Sequence, residues 1–460
     1  MQYSNAMLLH VGNAWTKLVK YDDEELAFVQ NFLSYRISGF RGKVKKQSLL
    51  NDFCFPAGLS RRLVKVAREA GLQVEVIQRS QTIDILPGYS IPGTSWVPRE
   101  HQKVALDAIR ERRRGLVQHS TGSGKGSVIA ILTALIQGRV LVVATSKKLQ
   151  EDLVARCRTF HVHPGQLGGG HHDTKKRVVI CNDDSLKKLS KTELLGFNAV
   201  LVDECHGASS KQVYSALMKC LNAEIRLGFS ATALDRADKR GLFTVGALGE
   251  TIHRYTPQQA AADGVIARAK LFMPSYQHRY LQDTETYVDW EKLAIATNPT
   301  RNLMILRLVH ETKAPRIVFV RTKLHQQLLV ELIGDSCGYV NDETPTDKAD
   351  HTVKDLRSGR IGTLVSTPIY RQGVDIPEIK TVINAAGGKA TIDVIQKVGR
   401  GSRILQPDGS KKESFEVYDI KDTGCGCLGE IHKSCEWLHK HSTERQKAYE
   451  KYGYHVETVQ

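Results

Sequence analysis

Short, continuous apolar runs of strand length recur along the chain. They fall at residues 138–145 and 197–203 in the first half, and at 316–322, 362–367 and 380–384 in the second. Runs without polar alternation are typical of strands that are buried on both faces of a parallel sheet. The pattern therefore predicts an α/β protein with two parallel-sheet lobes in tandem.

The chain before residue 97 has a different pattern. Val74 and Val76, and then Ile83 and Ile85, alternate with other residues as in a pair of strands. Residues 61–70 have helical spacing. We expect a small α/β domain here, in front of the two lobes.

Chain length and composition set the expected domain boundaries. A stretch rich in proline, glycine and serine at 86–95 is typical of a linker, and 460 residues are enough for three cores. We predict a small basic domain with its linker at 1–96 and the first lobe at 97–267. The second lobe is expected at 268–460, with a C-terminal helix at about 431–452 packed on it.

The chain is strongly basic, with a net charge of +16 and an aromatic content of only 7%. From Arg36 to Arg68, nine cations accompany a single acid, Asp52. This balance favours attraction to a phosphate backbone over base-by-base recognition, so we expect the first domain to bind nucleic acid. A helix with a merely solvated basic face is the alternative. The main candidates for contact are Arg41, Lys43, Lys45, Lys46, Arg61 and Arg62.

Residues 119–127, His-Ser-Thr-Gly-Ser-Gly-Lys-Gly-Ser, resemble a phosphate-binding turn that enters a helix. Gly122 and Gly124 allow backbone N–H groups to approach phosphate oxygens, and Lys125 supplies charge for the β- and γ-phosphates. Gly126 stands where a Ser or Thr hydroxyl normally reaches Mg²⁺, and Ser127 follows one residue late. The candidate nucleotide-binding residues of this turn are Ser120, Thr121, Gly122, Ser123, Gly124, Lys125, Gly126 and Ser127.

An acidic pair ends the second apolar run of the first lobe. Asp203 and Glu204 follow residues 197–202 directly, and His206 lies two residues further on. At the carboxyl end of a buried strand, Asp203 can bind Mg²⁺, while Glu204 can orient and deprotonate an attacking water. We predict that Asp203 holds the metal, with Ser127 as a candidate second ligand.

These motifs and their order resemble those of superfamily 2 helicases over residues 97–405. The resemblance implies two RecA-like domains and a reaction that uses ATP and Mg²⁺. It implies that Arg99 and Gln102 contact adenine, and that loops at 144–149 and 182–186 touch the nucleic-acid strand through residues such as Thr145 and Lys147. It also implies that His206, Ser230 and Thr232 couple hydrolysis to movement.

The second half continues the resemblance. Thr322 and Thr367 match strand-contacting positions, and Gly373 and Asp375 match a motif that contacts the nucleotide. Residues 396–403, Gln-Lys-Val-Gly-Arg-Gly-Ser-Arg, match the family's last motif. There the resemblance implies catalytic roles for Gln396, Arg400 and Arg403, because two arginines three residues apart share a helical face and can reach a γ-phosphate.

The basic leading domain and the Asp-Glu-Cys-His box resemble phage recombination helicases of the UvsW kind. That resemblance implies an ATP-dependent DNA helicase that moves 3′ to 5′ on forks and four-way junctions in recombination, repair or replication. We expect a monomer or weak oligomer. One alternative is an RNA helicase. Another, prompted by Gly126, is a nucleic-acid-binding protein with a decayed ATPase.

Several cysteines and histidines are spaced closely enough to be compared with metal-binding motifs. Cys425, Cys427, Cys435 and His439 lie close together, but their spacing is not that of a zinc knuckle, and we expect incidental thiols. Residues 160–173 contain four histidines and are expected to form a glycine-rich loop. The nine unpatterned cysteines and the absence of a signal-peptide pattern predict a cytoplasmic protein, in the host cell if it is phage-encoded.

Overall fold

The computed structural model describes residues 6–38, 44–79, 81–234, 240–278, 286–367, 376–389, 391–406, 409–423 and 433–457. Contacts divide the chain into two compact units. The first comprises Met1–Gln118 and Lys125–Arg254, and the second comprises His119–Gly124 and Tyr255–Gln460. The predicted boundaries at 96 and 267 remain predictions.

The N-terminal domain is a four-stranded sheet with helices. It contains β1 (Met7–Val11), β2 (Trp15–Lys20), α1 (Asp23–Phe32), β3 (Ser34–Ser38), β4 (Val44–Ser48), β5 (Cys54–Pro56), α2 (Ser60–Glu69) and β6 (Val74–Gln78). The sheet order is β5-β2-β1-β6, and β3 and β4 form a separate antiparallel pair. Leu63 and Ala67 of α2 are buried, while Arg61, Arg62, Lys65 and Arg68 are exposed, so the predicted helix is confirmed.

The predicted strand pair in this domain is wrong. Val74 lies in β6, but β6 pairs in parallel with β1, and no strand contains Ile83 or Ile85. Ile85 instead forms an isolated bridge with Ile136, and both isoleucines pack on the first lobe's core. Val74 therefore packs in the N-terminal domain's core and the two isoleucines in another, while Val76 is exposed, and local alternation does not reveal this division.

The first lobe is built around an eight-stranded sheet. Its elements are α3 (Glu100–Arg112), β7 (Arg114–His119), α4 (Lys125–Leu135), β8 (Val140–Ala144), α5 (Lys147–Arg158), β9 (Gly165–Gly168), β10 (His171–His172), β11 (Val178–Asn182), α6 (Lys191–Leu195), β12 (Ala199–Asp203), α7 (Lys211–Lys219), β13 (Ile225–Ser230), α8 (Gly241–Leu248) and β14 (Thr251–Tyr255). The order is β10-β9-β11-β8-β12-β13-β7-β14. Every residue of β8 and β12 is buried, as their apolar runs predict.

The expected loop at 160–173 contains two short strands. β9 pairs in parallel with β11, and β10 pairs antiparallel with β9. This sheet edge was missed because glycines and histidines are uncommon in strand interiors.

The second unit carries a seven-stranded parallel sheet of order β18-β19-β17-β20-β21-β15-β23. Its elements are α9 (Pro257–Ala262), β15 (Arg268–Phe272), β16 (Ser275–Gln277), α10 (Tyr287–Glu291), α11 (Pro299–Glu311), β17 (Arg316–Phe319), α12 (Lys323–Ile333), β18 (Cys337–Val340), α13 (Thr346–Ser358), β19 (Thr363–Ser366), β20 (Thr381–Asn384), α14 (Thr391–Val398), β21 (Ser414–Asp419), β22 (Lys421–Thr423), α15 (Lys433–Lys451) and β23 (Val456–Glu457). The α/β class with two parallel-sheet lobes is confirmed.

The C-terminal helix α15 packs on this second lobe, as predicted. Leu438 is buried beside Trp290, and Tyr449 and Tyr452 join the core of the sheet. Arg445 is also buried, and its Nε donates to Asp419 at 2.9 Å. The helix is therefore anchored by both apolar and ionic contacts.

The N-terminal domain packs directly on the first lobe. Val245 of α8 belongs to the N-terminal domain's own core, and Tyr35 makes an edge contact with Phe243 at 5.3 Å between centroids. Asn13 Nδ2 donates to the carbonyl of Leu221 at 3.3 Å. We call this boundary the seam.

Candidate nucleotide-binding site

The turn between β7 and α4 has the backbone that phosphate binding requires. Gly122 and Gly124 adopt φ angles of +83° and +90°, a region that favours glycine. Ser123 Oγ donates to the Ser120 carbonyl at 2.7 Å and closes the turn. Lys125 is buried and begins α4, so the positive end of the helix dipole, which favours anions, lies at this turn.

Arg156 of α5 lies beside Gly126, where the usual hydroxyl is missing. A Cβ atom at Gly126 would lie 3.1 Å from both Cδ and Nε of Arg156. Arg156 Nη1 also donates to Ser127 Oγ at 3.5 Å. The Arg156 side chain therefore lies close both to Gly126, where the usual hydroxyl is missing, and to Ser127, the candidate that could replace it.

Asp203 and Glu204 lie at the carboxyl end of β12, as their place in the sequence predicts. The Glu204 N–H donates to Asp203 Oδ1 at 3.0 Å, and Glu204 has a φ angle of +46°. A left-handed conformation in a residue other than glycine costs on the order of 1–3 kcal/mol and is concentrated at functional sites. The left-handed backbone of Glu204 thus supports this turn as a candidate functional site.

The two carboxyl groups differ in their acidity. Burial raises the pKa of Asp203 to about 6, and the nearby Glu204 carboxylate adds to the rise while Lys125 opposes it. Burial also disfavours the charged form of Glu204, but a hydrogen bond with His206 and the charge of Lys125 outweigh it and lower its pKa to about 2. The pair thus holds one firmly ionised carboxylate beside one that a cation would help to ionise.

A hydrogen-bonded cluster links Glu204 to β13. Ser230 Oγ donates to Glu204 Oε2 at 3.0 Å, and His206 Nδ1 lies 3.3 Å from the same oxygen. His206 Nδ1 is also 3.2 Å from Ser230 Oγ, and the Thr232 N–H donates to Ser230 Oγ at 3.1 Å. The structure therefore brings the predicted coupling residues together around Glu204, although their coupling role stays a prediction.

The acidic residues suit a magnesium ion that is shared with phosphates. Among the described residues, no group of three His, Cys, Asp or Glu side chains could form a metal cage by itself. Mg²⁺ is commonly held by one or two carboxylates together with substrate phosphates. Asp203, whose pKa is raised by burial and by the Glu204 carboxylate, fits that role, because a bound cation would favour its ionised form. Bound Mg²⁺ would also neutralise phosphate charge.

Gln102 is buried near the start of α3. Its side-chain oxygen accepts from the Arg99 N–H at 2.9 Å, which fixes the first turn of the helix. This contact anchors both residues, and their predicted role in adenine binding stays a prediction.

In the second unit, the last predicted motif lies against residues 119–124. Ser402 Oγ is within 3.3 Å of the Thr121 carbonyl, and a Cβ atom at Gly399 would lie 2.6 Å from Thr121 Cβ. Only glycine fits at residue 399 with this spacing. Gln396 and Arg400 are half-buried and Arg403 is exposed. Gly373 and Asp375 lie outside the described residues.

The predicted strand-contacting residues fall into several environments. Lys46, Arg61, Arg62 and Lys147 are exposed, and Thr145 is half-buried. Thr322 caps α12 by accepting from the His325 N–H, whereas Thr367 is buried and its hydroxyl has no partner among the described residues. Arg41, Lys43 and the side chain of Lys45 lie outside the described residues, and so do Cys425, Cys427 and the side chain of Cys435.

A basic groove of about 760 Å³ runs along the seam. The cationic face of α2 forms one wall and the start of β7 the other, with six arginine or lysine and three glutamate residues among its lining. The cations are Arg61, Lys65, Arg68, Arg79, Arg112 and Arg114. Sequence reasoning found the α2 residues but missed Arg112 and Arg114, which lie more than 40 residues away.

The fold and site define a P-loop ATPase with two parallel-sheet lobes. Residues 95–235 match the family model "Type III restriction enzyme, res subunit", and residues 300–405 match "Helicase conserved C-terminal domain". Together with the motifs described above, these matches show that the chain belongs to the superfamily 2 helicases. It is an ATP-dependent enzyme of that family.

Curated relatives are similar over most of the chain. It is 25% identical over 394 residues to the ATP-dependent DNA helicase uvsW of Enterobacteria phage T4, which covers 79% of this chain and 77% of that protein. It is 24% identical over 379 residues to the DNA 3′-5′ translocase XPB2 of Sulfurisphaera tokodaii, which covers 72% of this chain and 84% of that protein.

Solved structures support the fold alone. A fragment assigned to an HsdR subunit of a type I restriction enzyme from Vibrio vulnificus YJ016 aligns with a TM-score of 0.56 at 18% identity, over 88% of this chain and 80% of that one. The Mycobacterium smegmatis helicase Lhr aligns with a TM-score of 0.52 at 20% identity, over 79% of this chain and 49% of that one. Within the described part of this chain, no helix is both long and apolar enough to cross a membrane.

Proposed function

We propose that the protein is an ATP-dependent DNA helicase or translocase that acts on branched DNA, moving 3′ to 5′. Forks and four-way junctions are its proposed substrates, and fork regression and branch migration its proposed reactions. The observation that carries the proposal is the basic groove where the N-terminal domain packs on the first lobe. Such a groove would position a duplex or an arm beside the motor.

The charge in the groove is only partly compensated. Burial lowers the pKa of Arg114 well below its ordinary value, and the nearby charges of Arg226 and Arg61 lower it further. Burial is the largest cause of this shift, and the two arginines add repulsion between positive charges around Arg114, which a nearby negative charge would relieve. A phosphate backbone would supply the missing negative charge, and it would do so without regard to base sequence.

The ATP site provides the chemistry of the proposed cycle. Lys125 and the backbone of the turn would bind the phosphates, Asp203 would hold Mg²⁺, and Glu204 would orient the attacking water. We propose that Arg400 and Arg403 stabilise charge on the γ-phosphate in the closed state. ATP would then favour closure and hydrolysis would release it, which moves the lobes along a strand.

The relatives favour DNA and a direction. The T4 protein is named a DNA helicase and the Sulfurisphaera protein a DNA 3′-5′ translocase, and both match most of this chain. A 111-residue match at 32% identity to the ATP-dependent RNA helicase p62 of Drosophila melanogaster covers only 24% of this chain. RNA is therefore the second candidate substrate.

Steady-state ATP hydrolysis separates these candidates. We expect stimulation by DNA to exceed that by RNA of the same sequence, and Lys125→Ala to abolish turnover. Stronger stimulation by RNA would favour the second candidate. Wild-type protein without turnover would indicate a decayed ATPase, and turnover by Lys125→Ala would refute the assigned phosphate site.

The groove is tested by the salt dependence of DNA binding. Removal of residues 1–96 is unsuitable, because Ile83 and Ile85 pack on the first lobe's core. Arg61→Ala should instead reduce the slope of log K against log salt by about 1, as expected for one lost phosphate contact. Lys354→Ala, an exposed cation on α13, is the matched control. An equal slope in both variants would contradict the groove's role.

A further inference from the structure

A second cavity on the seam has a different character. We call it the seam cleft; its volume is about 630 Å³, and Trp15, Tyr35, Tyr214 and Phe243 line it. Phe243 makes edge contacts with Tyr35 at 5.3 Å and with Tyr214 at 5.1 Å between centroids. Trp15 is 39% exposed. The cleft is therefore an aromatic cavity in which one large indole remains accessible.

The seam cleft is also cationic. Lys191, Lys211, Lys219 and Arg240 line it, and no aspartate or glutamate is among the described residues that do so. Aromatic surface beside several cations suits a ligand with both a flat ring and a phosphate. It is the combination by which proteins bind single-stranded nucleic acid.

A buried hydroxyl supplies an independent observation. Ser209 lines the seam cleft and is only 4% exposed, and its Oγ has no hydrogen-bond partner among the described residues. Buried polar groups are nearly always paired, so an unpaired one calls for a ligand or another explanation. The edge of a nucleobase offers both donors and acceptors.

The seam cleft adjoins the parts of the first lobe that matter for the motor. Ser209 ends the 3₁₀ turn Cys205–Ser209, which begins directly after Glu204. Gln212 Nε2 donates to the Asp183 carbonyl at 2.6 Å, within the loop at 182–186 that is predicted to contact the strand. The cleft-lining residues Ser209 and Lys211 are thus adjacent in the chain to the catalytic turn and to the residue that contacts the predicted strand-contacting loop.

We propose that the seam cleft binds an unpaired nucleotide of the branched DNA. Its base stacks on Trp15 and meets the Ser209 hydroxyl, while the lysines and Arg240 hold the flanking phosphates. This proposal rests on the proposed function and deepens it, because it names the strand feature that the N-terminal domain and motor recognise together. An acidic peptide would satisfy the cations but would leave the aromatic surface and the hydroxyl unexplained.

The test compares two forked DNAs that differ only in their bases. One carries a normal unpaired tract at the branch and the other carries abasic sites in the same tract, so the phosphates are matched. Without ATP, wild-type protein should bind the normal fork about 5- to 150-fold more tightly, the range expected for one stacked base. Trp15→Ala should bind both forks with the weaker affinity, and Trp15→Phe should keep most of the preference.

Two further variants complete the design. Phe53→Ala removes another exposed aromatic of the same domain outside the seam cleft and should keep the full preference. Lys211→Ala should weaken binding to both forks alike. Equal wild-type affinity for the two forks, or a preference that survives Trp15→Ala, would overturn the proposal. If either of these two results is found while DNA still stimulates ATP hydrolysis, only the proposed role of the seam cleft is rejected. If the wild-type protein binds neither fork, the proposed function is rejected.

Discussion

Replacement of Gly58 by alanine tests the packing of the N-terminal domain on the first lobe. Gly58 lies against α8 with no space for a side chain. A Cβ atom there would lie 2.0 Å from the Val245 carbonyl oxygen, 2.6 Å from that of Gly246 and 2.9 Å from the Gly249 nitrogen. All three are backbone atoms, so no side chain can rotate out of the way.

The size of the effect follows from these distances. Since real Cβ contacts are essentially never shorter than 3.0 Å, the two surfaces must separate by at least 1.0 Å, the difference between 3.0 and 2.0 Å. Overpacking of this kind costs about 1–3 kcal/mol. For a unit of this size, each kcal/mol of destabilisation lowers Tm by about 2–4 °C, so Tm should fall by roughly 2–12 °C.

Hydrogen exchange read by mass spectrometry distinguishes seam opening from general destabilisation. Gly58→Ala should increase exchange in α8 and in β1 and β2. Gly71→Ala is the control, because Gly71 has a φ angle of +85° and open space around it. It should cost about 1–2 kcal/mol through backbone strain without opening the seam. If hydrogen exchange in α8 is unchanged in Gly58→Ala, the N-terminal domain does not pack on the first lobe at the seam as described.

Three other predictions concern the ATP site and the second lobe. Glu204→Gln should lower kcat for ATP hydrolysis by about 10²–10⁴-fold while ATP still binds, as measured by turnover and nucleotide titration; unaltered kcat would contradict its assignment as the base. Gly126→Ser should lower the Mg²⁺ concentration for half-maximal hydrolysis by up to about tenfold, an effect of about 1.4 kcal/mol. Adding Arg156→Ala to this variant should lower that concentration further. No change in either the single or the double variant would place the metal elsewhere. Asp422 is buried, which by itself would raise its pKa, but the charge of Arg301 and the hydrogen bonds that Asp422 accepts outweigh this effect and lower the pKa. The ionised carboxylate therefore stabilises the protein above about pH 4, and this contribution is lost as the pH falls. Asp422→Asn should therefore destabilise the protein by about 3–5 kcal/mol at pH 7 and flatten its acid denaturation between about pH 4 and 2; an unchanged acid profile would show that the pair with Arg301 does not titrate with unfolding.

Much of the fold was predictable because its signals are local. Buried parallel strands are continuous apolar runs, and β8 and β12 are fully buried as their sequences indicate. The phosphate turn is specified by glycines whose positive φ angles are now seen at residues 122 and 124. The acidic pair was predictable because it comes at the end of the apolar run that forms β12.

What could not be predicted depends on contacts between distant residues. Ile83 and Ile85 alternate like a strand, but they pack on a different core from β6. Arg156 approaches Gly126 only because α5 packs on α4, and Ser209 lines the seam cleft only because the N-terminal domain packs on the first lobe. Periodicity and short motifs do not show which distant residues come into contact.

The most direct test of the account is ATP-dependent processing of a synthetic four-way DNA junction beside a 3′-tailed linear duplex, with Lys125→Ala as the control. The junction should be resolved into its arms far faster than the duplex is unwound, and Lys125→Ala should process neither. Processing of the tailed duplex alone would contradict a function on branched DNA and would indicate a general translocating helicase.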